Sequence, residues 1–400
     1  MAIVINGSGT VTGLAVGGLP DGTVDNDTVA SGLASSKLTG ALPAISAASL
    51  TNVPKDVTVG GRKNIIINGA MNVYQRGSVN ITDAGNEYTL DRFQAYWRGG
   101  ALATATQDTD VPAGQGFSSS IKMDVTTGDS LGTSNDLVLF RQKIEAQDLQ
   151  HLEYGHANAK TMTLTFWIKS TVTGTYILRA SQSDASDRIN STAYTVSSAN
   201  TWEKKTITIA GDTSGVIDNN TGNGLELTWC LGSGSDYTSG TRSDNTWIAY
   251  DATKQFQGQV NAVNSASNNI YITGVQLEVG STASNFEHRS YGEELALCQR
   301  YFQTYVGVEQ EWIYCEGNLA HHRWWQVYFK EMRAKPSFTF VSWTGGSAGT
   351  IGGTVSSLAA TIGWRRASVR VTTSATGGSA YQLHHCDSFA NDVLQMDAEL

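Results

Sequence analysis

The chain has 400 residues, which suggests two or three domains, because a single core rarely grows past about 250–300 residues. Charged residues make up only 16%, below the roughly 25% of an ordinary soluble domain. Thr, Ser, Asn and 42 glycines supply the polarity instead, a composition suited to turns and exposed strand faces. The formal net charge of -9 argues against a nucleic-acid partner, which needs clustered Lys and Arg, and no apolar stretch is long enough to span a bilayer.

The first residues, Met1-Ala2-Ile3-Val4-Ile5-Asn6-Gly7, carry no basic n-region and no long apolar run, so no secretory signal is expected. Residues 1–62 contain no Trp, Tyr or Phe; their aliphatics are sparse and irregular (Leu33, Leu38, Leu42, Ile45, Leu50, Val53). Such a segment cannot bury a core of its own. Either it is disordered, or its aliphatics are buried against other chains, as three parallel copies around one axis would allow; its low charge favours assembly. Residues 1–62 are therefore expected to form an extended attachment and trimerisation segment.

From residue 64 to 286 the pattern is strands between turns, with runs at 88–97, 137–144, 162–169, 175–179, 204–209, 225–230 and 270–279. Several alternate apolar and polar residues, the period of a half-buried strand. In the run from Met162, the side chains of Met162, Leu164, Phe166 and Ile168 face one way. Gly/Ser/Asn/Asp clusters at 212–223 and 232–240 separate the runs. Short strands at this spacing predict an all-β fold, a jelly-roll sandwich over residues 63–290. Trp97, Trp167 and Trp229 lie within strand runs and are expected in its core.

Ser290-Tyr291-Gly292-Glu293 fits a capping box and opens a helix, with Glu293 and Glu294 in its first turn. Leu295, Cys298, Tyr301, Phe302 and Tyr305 recur on one face of it. Residues 291–400 then read as this helix followed by a β-rich tip domain with strand-like runs at 321–329, 338–343, 367–372 and 393–396.

Two phrases carry a family likeness. One is Lys63-Asn64-Ile65-Ile66-Ile67-Asn68-Gly69-Ala70-Met71-Asn72-Val73-Tyr74-Gln75-Arg76-Gly77. The other is Gly274-Val275-Gln276-Leu277-Glu278-Val279-Gly280, continuing through Phe286-Glu287-His288-Arg289 to Glu293-Glu294-Leu295-Ala296-Leu297-Cys298-Gln299-Arg300-Tyr301-Phe302. With Phe140-Arg141-Gln142-Lys143-Ile144-Glu145 and Asn200-Thr201-Trp202-Glu203-Lys204-Lys205, they resemble tail fibre and other fibre proteins of tailed bacteriophages. The region between the two phrases is similar to carbohydrate-binding-module jelly rolls. The resemblance implies a homotrimeric virion appendage, made in the host cytoplasm, joined to tail or other virion proteins through residues 1–62 and reaching a host surface polysaccharide. It implies no particular receptor. The phrases themselves read as fold-specifying rather than ligand-binding.

Sugar binding needs flat apolar faces beside hydrogen-bonding groups. Two regions qualify: Tyr237, Trp247 and Tyr250 in a loop-rich stretch dense in Gly, Ser, Asp and Asn, and Trp324 and Trp325 beside Arg323, Gln326 and Tyr328. Each tryptophan competes with a reading as core or intersubunit packing, because large aromatics are mostly buried. No acid stands out by context as one of a catalytic pair, and no G-x-S-x-G elbow joins a strand to a helix, so an enzyme is not expected. His321-His322 and His384-His385-Cys386 supply at most one ligand per strand face; one His from each of three chains could meet a metal across a trimer axis, but an ordinary solvated or packed histidine is the preferred reading, so no metal is assigned, and nothing calls for a cofactor. Cys230, Cys298, Cys315 and Cys386 form no C-x-x-C pair and read as free, buried thiols. The function expected is host-glycan binding during adsorption. A purely structural head fibre or connector, and a capsule depolymerase or deacetylase, stand as alternatives.

Overall fold

The computed structural model describes residues 4–5, 11–12, 62–82, 85–306, 312–315, 322–342, 355–362, 366–373, 384–385 and 393–400, several of the terminal strands as backbone alone. Residue contacts divide the chain into units 1–57 and 58–400. In the first, β1 (Val4–Ile5) pairs antiparallel with β2 (Val11–Thr12). The remainder of the predicted attachment segment, up to residue 61, lies outside the described residues.

The second unit is built on an antiparallel two-sheet sandwich of jelly-roll type. In chain order its strands are β3 (Val79–Ile81), β4 (Gly85–Tyr88), β5 (Phe93–Arg98), β6 (Leu102–Asp108), β7 (Ser120–Thr127), β8 (Leu137–Glu145) and β9 (Met162–Ser170). There follow β10 (Gly174–Gln182), β11 (Arg188–Val196), β12 (Glu203–Ile209), β13 (Asn223–Ser233), β14 (Ile248–Ala249) and β15 (Asn269–Val279). A seven-stranded sheet has the order β14-β11-β10-β13-β8-β5-β4, and a six-stranded sheet the order β12-β9-β15-β7-β6-β3. The chain crosses repeatedly between them after β8, so each sheet buries one face against the other.

The predicted alternation of β9 holds: Met162, Leu164, Phe166 and Ile168 are fully buried. Phe166 crosses the sandwich to meet Trp229 edge-on at 5.5 Å and Tyr194 at 5.2 Å between ring centroids. Phe93 stacks on Phe140 at 5.2 Å behind them. Trp97 and Trp229 are in the core as expected, but Trp167 is not. The alternation that buries Phe166 turns Trp167 to the outer face, where it is half-buried. There Gly274, at φ +62° beside a bulge in β15, lets the backbone pass under it; a Cβ at Gly274 would press on both Phe117 and the Trp167 ring.

The segments 63–77 and 274–302, some 200 residues apart, are bonded to each other. Ile65 N donates to the Leu277 carbonyl at 2.9 Å and Val275 N to that of Gly69 at 2.9 Å. Asn64 Oδ1 accepts from Leu277 N at 3.1 Å while its Nδ2 donates to Val275 O at 3.1 Å. Arg289 donates to the carbonyls of Asn64 and Ile66 and pairs with Glu294 at 3.2 Å. Asn68, fully buried at φ 61°, spends its side chain on the backbone of Val73 and Asp91. These residues close the sandwich, as the fold-specifying reading of the phrases requires.

The helix α1 spans Tyr291–Cys298, with the Ser290 hydroxyl accepting from Glu293 N at 3.3 Å. Glu293 does not reach back to complete the box; its carboxylate pairs with Arg62 at 2.9 Å. The apolar face predicted to continue through Tyr301, Phe302 and Tyr305 leaves the helix instead. At Phe302 the chain becomes β16 (Phe302–Val306), which pairs with Val393–Asp397 and through it with Ser337–Ser342. Aromatic and β-branched residues suit a strand when a partner is at hand. Five further strands form a sheet ordered Val355–Ile362, Arg366–Thr373, His322–Tyr328, Trp312–Cys315, His384–His385.

The last residues return to the sandwich. The Arg300 guanidinium forks onto the buried Glu145 carboxylate at 2.8 and 2.9 Å, and Glu399 pairs with Arg92 and with Arg76. Tyr88 Oη and Lys143 Nζ both donate to a main-chain oxygen of Leu400, at 2.7 and 2.8 Å.

Candidate functional site

The outer face of the seven-stranded sheet has two adjacent rows of side chains running across its strands. Strand register places Asn86, Tyr96, Leu139 and Cys230 in one row, continued by Ile177 and Ala193. The next row is Tyr88, Gln94, Arg141, Thr228, Arg179 and Ser191. The first is mainly apolar and the second polar, so the face has a greasy stripe beside a hydrogen-bonding stripe.

Two covers leave part of this face open. On one side a loop seats Phe256 on Leu137, Leu139, Ile177 and Cys230, with Tyr96, Ala193 and Tyr237 packed around it. On the other side the chain at Leu400 rests on Tyr88 and Lys143. Between them lie the half-buried ring of Tyr96, with the Arg141 guanidinium 5.3 Å from its centroid, and the exposed amide of Asn86.

The polar row is held by one carboxylate. Glu226, reaching in from the neighbouring position on β13, accepts from Arg179 at 2.6 Å and from the Thr228 hydroxyl at 2.8 Å, and pairs with Arg141 at 3.2 Å. Arg141 also donates to Gln94 at 2.8 Å and Asn86 at 2.6 Å. Burial pushes the Glu226 carboxyl up, but the two guanidiniums and the Thr228 hydroxyl outweigh that and hold it below its ordinary value. It is thus a fixed acceptor for these three groups. Its role is to hold two guanidiniums in place, that of Arg141 beside the Tyr96 ring and that of Arg179 beside Phe256 of the covering loop. That arrangement can stack on the C–H face of a pyranose and bond its hydroxyls.

Two residues expected from the sequence join this face. Tyr237 packs on the Phe256 cluster and its hydroxyl accepts from Arg98. Tyr250, 47% exposed, accepts at its hydroxyl from Gln255 at 3.2 Å, and Gln255 in turn accepts from Arg179. A continuous hydrogen-bond chain therefore runs from Tyr250 through Gln255, Arg179, Glu226 and Arg141 to Asn86.

Trp247 does not join them. It is 8% exposed, lies edge-on to Tyr154 at 5.8 Å, and donates its indole N–H to the Ala210 carbonyl at 2.7 Å. Its ring packs in the sandwich core and presents no flat face to a ligand. Trp324 and Trp325 sit on the strand His322–Tyr328, opposite Arg370 and Val369; their side chains, like those of the histidine pairs, lie outside the described residues. Tyr96, Gln94 and Arg141 were missed, although the alternation of Phe93, Ala95 and Trp97 inward fixes Gln94, Tyr96 and Arg98 outward.

A second aromatic group lies on the outer face of the six-stranded sheet. Trp202 donates its indole N–H to Asp110 at 2.9 Å and meets Tyr271 edge-on at 6.2 Å. Lys169, paired with Asp110, covers the Tyr271 ring at 4.1 Å. That ring face is already occupied by the chain's own ammonium.

Among the described residues, no three His, Cys, Asp or Glu side chains gather as a metal-binding group, and no helix is long and apolar enough to cross a membrane. Cys230 and Cys298 are free and buried, and burial pushes the Cys230 thiol up to about 12.

No family model and no curated protein matches the chain. Solved structures resemble just over half of it. The enzymatically active domain of tailspike protein 4 of bacteriophage CBA120 is 16% identical with a TM-score of 0.30; the match covers 54% of this chain and 21% of that one. The family 11 carbohydrate-binding module of Clostridium thermocellum, in complex with a β-1,3-1,4-mixed-linked tetrasaccharide, is 11% identical at a TM-score of 0.26, covering 53% of this chain and 98% of the module. TmCBM61 in complex with β-1,4-galactotriose is 12% identical at 0.23, covering 55% and 100%.

Proposed function

We propose that the outer face of the seven-stranded sheet binds a carbohydrate chain of a bacterial surface, and that the protein is a fibre subunit of a tailed-phage virion acting in host adsorption. The observation that carries the binding reading is the half-buried Tyr96 ring set beside a guanidinium that Glu226, Gln94 and Asn86 hold in place. The virion reading rests on the two fibre-like phrases and on residues 1–62, too poor in large apolar groups to fold alone. In that reading the subunit is a homotrimer, attached to the particle through residues 1–62 and displaying three copies of the face. Weak single-site binding is then strengthened by multivalency. The face binds without catalysis, since its central carboxylate is committed to charge pairing.

The test is a bacterial polysaccharide array probed with the full chain and with Tyr96→Ala. Saturable binding that falls about tenfold or more in the variant, with unchanged circular dichroism, supports the reading. No binding to any polysaccharide, or equal binding by both proteins, sinks it. Shortening of the polysaccharide, or acetate release, overturns the non-catalytic part.

A further inference from the structure

The open strip carries a local excess of positive charge on a chain whose formal net charge is -9. Arg98, Arg141, Lys143 and Arg179 all project from this outer face, and the carboxylate bonded among them is that of Glu226. Arg98 is held by neutral groups, donating to the Asn135 carbonyl at 2.7 Å and to the Tyr237 hydroxyl. Lys143 donates to a main-chain oxygen of Leu400 and is not counted in this surplus. Nearby Glu399 is taken up by Arg92 and Arg76. Arg179 keeps its Nε buried and without a partner, although both of its terminal nitrogens are engaged. Burial first, and then the neighbouring Arg141 charge, push the Lys143 ammonium below its ordinary value, while Glu226 and Glu399 act against that.

Sugar hydroxyls alone do not require this charge. A neutral glycan is bound by amides, hydroxyls and rings, and a surplus of cations on an otherwise acidic protein costs self-repulsion unless something offsets it. We infer that the glycan bound on this face is anionic, its carboxylate or phosphate groups spaced along the strip, with Arg141 and Lys143 toward one end and Arg98, about 20 Å from Lys143, at the other. This inference rests on the glycan-binding reading and adds the ligand's charge class to it. Each Arg141 nitrogen already has one partner, Gln94, Asn86 or Glu226, so its terminal nitrogens have one N–H apiece to offer an oxyanion next to the Tyr96 ring that would carry the sugar body.

The experiment uses the full chain on an array containing both neutral polysaccharides and uronate-, sialate- or phosphate-bearing ones, read at 50 mM and 500 mM NaCl. The expected result is retention of anionic members, about tenfold weaker at high salt. Carboxyl reduction of a uronate-bearing binder is expected to abolish its retention. Arg98→Gln is expected to weaken binding about fivefold, and Arg141→Gln more strongly. Arg98 is joined to neutral groups at the rim, so its variant tests the idea even if Arg141→Gln fails to fold. Saturable, salt-insensitive binding of neutral members, still lost in Tyr96→Ala, overturns the charge assignment while leaving the glycan-binding face in place. Absence of binding to every polysaccharide overturns both.

Discussion

Glu226→Ala removes the carboxylate that joins Arg179 and Arg141 across three strands. The Glu226 side chain is 7% exposed, and those of Arg179 and Arg141 are 10% and 14% exposed, so little water replaces what is lost. Removing one member of a buried charge pair typically costs about 3–5 kcal/mol, because the surviving charge is left uncompensated. Arg141 keeps its bonds to Gln94 and Asn86, and Arg179 its bonds to Gln255 and Thr228, which places the expected loss near the lower end, about 3 kcal/mol. With a urea m-value of roughly 3–4 kcal/mol/M for a unit of this size, the midpoint should fall by about 1 M. Tryptophan fluorescence reports it, since Trp229 is buried on the same strand. The pH dependence has a definite sign. Glu226 is held below its ordinary value when folded, so its stabilisation is complete above the unfolded carboxylate value and is lost as pH falls through the depressed folded one. The gap between wild type and variant should therefore be full at pH 7 and shrink below about pH 4. A loss under 1 kcal/mol at pH 7, or a gap unchanged at pH 3, would refute this account of the pair.

Gly69→Ala drives a Cβ into the Val275 carbonyl and should break the seam between segments 64–69 and 275–289, lowering stability by about 2–3 kcal/mol in the same urea assay. Trp247→Phe removes the indole bond to Ala210 and should cost about 1–2 kcal/mol while leaving glycan binding unchanged; a selective loss of binding would return Trp247 to the site. Cys230 should resist thiol reagents in the native protein and react only after unfolding, as stopped labelling with and without urea would reveal.

The parts of the fold visible in the sequence were those written in one strand at a time. The alternation through Met162–Ser170 fixed which residues face inward, and applying it consistently would also have placed Trp167 outside. Leu102–Asp108 escaped notice because its inward residues are Ala103 and Ala105, too small to stand out from the turns around them. The helix opened where its cap sits but ended early, since Phe302 found a strand partner almost a hundred residues away. The candidate face was the least legible part. Its polar row takes Gln94, Arg141, Arg179 and Thr228 from different strands, and register rather than spacing along the chain brings them together. Trp247 and Tyr250 look alike in a polar loop; only the Ala210 carbonyl waiting below decides which of the two turns inward.

The bonded seam of residues 64–69 with 275–289 has a mechanical corollary. The polypeptide comes into the sandwich and departs from it at the same place, through Asn64, Val275 and Arg289. A tug delivered along the chain from residue 62 therefore meets that clasp before it reaches the strands that carry Tyr96.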